Sequence, residues 1–180
     1  MKKSSFLASA AGLAGISFSL DTHLSVFYKN MNRPTRNTAR DPNGGGQMQD
    51  EKRVRILMAK FGEGYEKSVV KLALAFRESG FEIIYTETQT PEAIVTSAIQ
   101  EDVDHIGITT LPGANIDDIR KVMELLEKAD ARDIGVTAGG FLSYEDIPRL
   151  KEVGIVQFFP TGTTIQDLIE WARTNIKQTH

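Results

Sequence analysis

HIGITTLPGANIDDI, residues 105–119, decides how this chain reads. Its first six residues are a short apolar run with β-branched members. Bounded by Thr, Pro and Gly, such a run reads as a buried parallel strand. Ile116 and Ile119 then open a spacing continued by Met123 and Leu126, which is that of a helix face. Strand, a loop of Thr109-Thr110-Leu111-Pro112-Gly113, and helix follow one another without a break.

The same unit repeats on either side. VRILMA (54–59) and FEIIYTE (81–87) precede it; IGVTA (134–138) and VQFF (156–159) follow it. Val69, Leu72, Ala73 and Phe76 share one helix face, and Gly80 is a natural stop after them. Thr90-Pro91-Glu92 offers an N-cap, a proline at the first helical position and an acid in the first turn, opening a helix with Ile94, Ala98 and Ile99. Ser143 with Asp146 predicts the start of a fourth helix carrying Ile147 and Leu150. Ile165, Leu168, Ile169 and Ala172 define a fifth. Five parallel strands alternating with five helices predict a doubly wound, flavodoxin-like α/β sandwich, strand order 2-1-3-4-5.

Ligands of such sheets sit beyond the carboxyl ends of the strands. That rim holds the unusual residues. Phe61-Gly62-Glu63-Gly64-Tyr65 follows the first strand, and Ala138-Gly139-Gly140-Phe141 the fourth. Pro160-Thr161-Gly162-Thr163-Thr164 follows the fifth. Glycines there let a ligand approach the backbone and free N–H groups for anions.

Composition and the loops exclude several chemistries. With 41% hydrophobic and 25% charged residues in 180, the chain is an ordinary globular domain plus a tail, not a polytopic membrane protein. There is no cysteine, which removes disulfides, thiolate metal sites and thiol nucleophiles. Histidines 23, 105 and 180 are too scattered for a local ligand pair. His105 starts the third strand, the wrong end of the sheet for catalysis, and reads as a structural edge residue. That strand ends in Thr109-Thr110, so a receiver-type phosphoacceptor aspartate is missing. No G-x-x-x-x-G-K-[ST] run exists. Gly62-x-Gly64 is half a dinucleotide fingerprint, and Glu63 and Glu66 would repel a flavin phosphate.

Residues 1–50 carry six Lys or Arg and three Asp, a net of +3, whereas residues 51–180 carry −6. This balance argues against nucleic acid as a partner. The stretch 30–50 reads as a flexible connector, so 1–50 is expected to be an N-terminal extension and 51–180 the domain. Lys2 and Lys3 before the apolar run Phe6–Leu20 resemble a signal peptide over 1–20. That run falls short of the about 20 residues a stable membrane span needs. The expected location is the cytoplasm, with export as the alternative.

From Arg53 to Lys177 the chain resembles the cobalamin-binding domain of methylmalonyl-CoA mutase and related acyl-CoA mutases. The text that carries the likeness is VRILMAKFG (54–62), GFEI (80–83), QTPEAIVTSAIQEDVDHIGITTL (89–111), AGGFLSYEDIPRLKEVGI (138–155) and FFPTGTTI (158–165). In that family a D-x-H-x-x-G loop after strand 1 brings a histidine to cobalt. The displaced nucleotide tail enters a slot lined by an S-x-L turn, a Gly-Gly turn and a Gly-Thr turn. The resemblance implies that Thr109, Thr110 and Leu111 stand for S-x-L, Gly139-Gly140 with Phe141 for the second turn, and Gly162-Thr163 for the third. It also places Glu63 on the aspartate, Tyr65 on the histidine and Ser68 on the glycine, in a loop one residue shorter.

The implied cofactor is cobalamin as adenosylcobalamin, held around Gly62, Glu63, Gly64 and Tyr65 and in the slot. No catalytic residue and no metal ligand is assigned to the chain. A neutral phenol is a poor replacement for imidazole on cobalt. The implied function is the cofactor-binding small subunit of an acyl-CoA carbon-skeleton mutase, working with a separate acyl-CoA-binding large subunit. Two alternatives stand beside it: a corrinoid-binding sensor or carrier module, and a non-binding structural or regulatory partner. Because residues 1–50 lack a periodic apolar face, deleting them should leave the thermal midpoint almost unchanged in calorimetry. A loss of several kcal/mol would mean that Phe6–Leu20 packs on the domain or on a partner.

Overall fold

Short β-branched runs that cannot reach helical length pair into one parallel sheet, and the amphipathic stretches between them cover both its faces. A computed structural model describes residues 53–86 and 89–179. The extension and the predicted linker lie outside the described residues. The chain order is β1 (Arg55–Phe61), α1 (Glu66–Glu78), β2 (Glu82–Tyr85), α2 (Pro91–Gln100), β3 (His105–Thr110), α3 (Ile116–Lys128), β4 (Gly135–Gly140), α4 (Arg149–Val153), β5 (Gln157–Pro160) and α5 (Ile165–Asn175). The strands are ordered β2-β1-β3-β4-β5, as expected.

Residues alternate sides along a strand. On one side Ile106 and Ile108 of β3, with Val136 and Ala138 of β4, pack against Ile94, Ile119, Val122 and Leu126 of α2 and α3. On the other side Ile56 and Met58 of β1, with Ile83 and Tyr85 of β2, pack against Ala73 and Phe76 of α1 and Ile169 and Ala172 of α5. The second layer is incomplete. Facing α1 and α5, β3 offers His105, Gly107 and Thr109, and β4 offers Gly135, Thr137 and Gly139.

Local chemistry sets the element ends. Thr90 Oγ1 accepts from Ala93 N at 3.3 Å, Asn115 Oδ1 from Asp117 N at 3.0 Å, and Thr164 Oγ1 from Asp167 N at 3.1 Å, capping α2, α3 and α5. α1 has no side-chain cap; its N-cap residue Tyr65 adopts a left-handed φ of 56°.

Two expectations need correction. The fourth helix does not start at Ser143. Residues 144–148 form turns, and α4 is only Arg149–Val153. Ser143 and Asp146 do exchange hydrogen bonds, at 2.8 and 3.2 Å. Pro148 supplies no N–H and disfavours helical geometry at Ile147, so the helix waits for it to pass. The fourth strand does not stop at Ala138. Gly139 and Gly140 continue it, paired with Thr109 and Thr110 of β3 and with Phe159 and Pro160 of β5.

Asp104 ties together the start of β1, the start of β3 and the segment after α5. Its carboxylate accepts from Arg55 N at 2.8 Å, Thr179 N at 2.7 Å and Thr179 Oγ1 at 2.9 Å. Asp104 itself is 5% exposed, whereas Arg55 is half-buried and Thr179 exposed. Asp104→Ala should lower the unfolding free energy by about 1–3 kcal/mol, the worth of hydrogen bonds to a charge that water replaces only in part. Urea unfolding with an unchanged midpoint would contradict this.

Candidate functional site

A cavity of about 460 Å³ opens at the carboxyl ends of the strands and runs down the sheet between α1 and α5. Its floor is the incomplete layer of β3 and β4: Gly107, Thr109, Thr137 and Gly139. At Gly107 an added Cβ would meet only Ile56 Cγ2, at 3.9 Å, so no side chain fills the space above it. Leu72 and Phe76 of α1 and Leu168 and Trp171 of α5 form the walls. Phe159 closes one side, edge-on to Trp171 with ring centroids 5.2 Å apart. A cavity with walls of this kind suits an apolar or aromatic group.

The mouth gathers nine of the twelve site residues expected from sequence. Tyr65, Thr109, Thr110, Leu111 and Gly139 line it, as do Gly140, Phe141, Gly162 and Thr163. The Tyr65 and Phe141 rings meet across the opening, centroids 5.4 Å apart. Most mouth hydroxyls brace the rim: Thr110 Oγ1 donates to Gly139 O at 3.1 Å, Thr161 Oγ1 to Gly140 O at 2.9 Å, and Thr163 Oγ1 to Pro160 O at 2.7 Å.

Gly62, Glu63 and Gly64 stand beside the mouth and do not line the slot. Glu63 is exposed, and its N–H donates to Pro112 O at 3.2 Å. Gly62, at φ +87°, lies so close to the carbonyls of Leu111 and Pro112 that a Cβ would sit 2.6 and 2.7 Å from their oxygens. These residues join the β1–α1 loop to the β3–α3 loop. Gly140 likewise serves the backbone: at φ +120° its Cβ would collide with the Thr110 carbonyl. At Gly139 a Cβ would be 3.0 Å from Phe159 O. The glycine that leaves the slot deep is Gly107, which sequence reading treated as an ordinary strand residue.

His105 also departs from expectation. It does begin β3, but β3 is the central strand, and the side chain is buried at the blind end of the slot rather than at an edge. Its Nε2 lies 3.1 Å from Thr137 Oγ1. Burial lowers its pKa from 6.5 to about 4, against the opposing pull of the Asp104 carboxylate. Ser68, which the resemblance puts on the loop glycine, also lines the slot, as do Leu72 and Leu168, expected only as helix-face residues, and Trp171, which the sequence did not point to. The signal for the helix residues was present as apolar faces, but it is the same signal that marks ordinary core. Among the described residues, no three His, Asp or Glu side chains come together to hold a metal, and no helix is long and apolar enough to cross a membrane.

Fold and slot define a class: a doubly wound domain with a cavity open at the strand ends and extending along one sheet face. The chain belongs to the B12-binding domain family, whose model matches residues 54–169. It is 35% identical to the 2-hydroxyisobutanoyl-CoA mutase small subunit of Aquincola tertiaricarbonis over 127 residues, covering 69% of this chain and 93% of that one. It is 31% identical to methylmalonyl-CoA mutase of Escherichia coli K12 over 131 residues, covering 72% of this chain and only 18% of that one. Among solved structures it is similar to a cobalamin-binding protein from Desulfitobacterium hafniense DCB-2, with a TM-score of 0.59 and 20% identity over 70% of this chain and 60% of that one. The chemotaxis protein CheY4 of Vibrio cholerae, at TM-score 0.54 and 11% identity over 68% of this chain and 98% of that one, shares the fold.

The buried imidazole makes a pH prediction. Unfolded, His105 takes up a proton below about 6.5; folded, it resists until about 4. Its contribution to stability is therefore complete above pH 6.5 and is lost as pH falls toward 4. Between pH 7 and 5 this group should cost about 2 kcal/mol. His105→Gln should shrink the measured loss over that interval by a similar amount. Equal losses in both proteins would show that His105 is not held neutral.

Proposed function

We propose that this chain is the cobalamin-carrying small subunit of an acyl-CoA carbon-skeleton mutase, and that it holds the corrinoid by its nucleotide tail and gives cobalt no histidine. The observation that carries the reading is the slot over Gly107. It is open at the strand ends and walled by apolar side chains of two helices. Those features fit a planar benzimidazole on a ribose phosphate entering end-on. Leu72, Phe76, Leu168 and Trp171 would clasp the base, and Gly107 and Thr109 would lie beneath it. Tyr65 and Phe141 at the mouth would meet the part of the corrinoid left outside.

When bound, cobalamin supplies radical chemistry at its cobalt–carbon bond; the protein supplies position. Tyr65 stands at the mouth where the family resemblance puts the cobalt-ligating histidine. Its 56% exposure leaves the phenol in water, and a neutral phenol competes poorly for the metal. His105 lies five residues down β3 from Thr110, about 16 Å at roughly 3.3 Å per residue, so it cannot replace it.

A separate large subunit that binds the acyl-CoA completes the reading. The likeness to a mutase small subunit over 93% of its length supports this, as does the 18% share of the longer mutase that this chain matches. Tyr144, 91% exposed and three residues after Phe141 in the chain, offers an aromatic surface to such a partner. The reading places the protein in the cytoplasm, where CoA thioesters are made and used.

Gly107→Val tests the slot. The backbone there accepts a Cβ, and valine suits a strand, so the unliganded protein should be as stable as the parent or more so. Incubated with hydroxocobalamin or adenosylcobalamin and desalted, the parent should keep the corrinoid absorbance and Gly107→Val should lose it. Equal retention would place the ligand elsewhere. No retention by the parent would favour a non-binding partner.

A further inference from the structure

The blind end of the slot is polar, and nothing in the reading above uses it. His105 and Thr137, 4% and 8% exposed, are joined at 3.1 Å between Nε2 and Oγ1. The His105 ring faces Trp171, centroids 6.3 Å apart. The absence of a Cβ at Gly135 makes room for the imidazole, since that atom would lie 2.7 Å from Nδ1. His105, Thr137 and Trp171 all line the cavity, and the neighbouring lining side chains are apolar: Ile56, Met58, Phe76, Leu168, Ala172 and Ile176; the Asp104 carboxylate also acts on His105.

Two polar groups in an apolar pocket cost desolvation that a Leu–Val pair would avoid. They also give that end of the pocket a chemistry. A neutral imidazole has one donor and one acceptor, and a hydroxyl can be either. With one bond made between them, the pair still presents a donor or an acceptor to a third group, depending on the tautomer.

We propose that His105 and Thr137 read the lower base of the corrinoid, so that the slot prefers a base with a hydrogen-bonding atom on its far edge, a purine or a hydroxylated benzimidazole, over dimethylbenzimidazole. The proposal rests on the tail-in-slot reading. Dimethylbenzimidazole, with only methyl groups on that edge, would leave the pair's spare donor or acceptor without a partner. A base with a matching edge would satisfy them. The expected preference is on the order of five- to tenfold, the net worth of one buried hydrogen bond.

Trp171 is the one tryptophan of the chain and lines the slot, so quenching of its fluorescence reads binding directly. The full chain is titrated with four hydroxocobalt corrinoids: cobalamin, the adenine-based and hydroxybenzimidazole-based analogues, and tail-less cobinamide. The parent should bind both polar-base corrinoids at least fivefold more tightly than cobalamin. Thr137→Val, isosteric and suited to a strand, should bring the ratio to about one. His105→Leu should do the same if Thr137→Val folds poorly. Equal affinities in the parent, a preference for cobalamin, or a preference that survives the substitutions would overturn the proposal while leaving the slot intact. Cobinamide binding as tightly as the complete corrinoids would instead sink the tail-in-slot reading itself.

Discussion

Everything that distinguishes this domain follows from the bareness of one side of two strands. Facing α1 and α5, β3 carries Gly107 and Thr109 beyond His105, and β4 carries Thr137 and Gly139 beyond Gly135. In the paired sheet Gly107 lies beside Thr137, and Thr109 beside Gly139. Four small residues thus form one continuous patch that cannot reach the helices above it. Leu72, Phe76, Leu168 and Trp171 reach the cavity from the other side without filling it. The opposite side of the same strands is packed by Ile106, Ile108, Val136 and Ala138, which hold the sheet rigid beneath the open slot. A site built on strands that are rigid on one face and empty on the other needs no rearrangement to admit a ligand.

The rim is a separate construction. Gly62 and Glu63 fasten the β1–α1 loop to the carbonyls after β3, and Gly140 lets β4 end flush against Thr110. These glycines answer to the backbone, while Gly107 answers to the cavity. The division matters for reading relatives, because a glycine-rich rim alone speaks only of tight loops.

Much of this was legible in the sequence because local rules and the tertiary structure agree. HIGITT is a strand over the residues expected, Thr90 caps α2, and Gly80 follows the end of α1 at φ +100°. The fourth helix was misplaced because the Ser143–Asp146 pair makes a turn as readily as a helix start, and Pro148 decides between them. The slot escaped notice for a different reason. A run such as HIGITT reads as apolar on both sides, and the alternation of isoleucine with glycine and threonine gains meaning only beside β4 in register. His105 was misread for the same cause: its place at a strand start is local, but its burial depends on Trp171 and Thr137, far along the chain.

The central claim is that the corrinoid tail occupies the slot while the metal takes no nitrogen from this chain. Electron paramagnetic resonance of the protein loaded with cob(II)alamin tests both halves at once, in parent material with natural and with isotope-labelled protein nitrogen. The account predicts a base-off spectrum without splitting from an axial nitrogen. Splitting unaffected by protein labelling would mean that the cofactor's own base stays on cobalt and outside the slot. Splitting that changes with protein labelling would put a histidine of this chain on the metal, and either result would contradict the account.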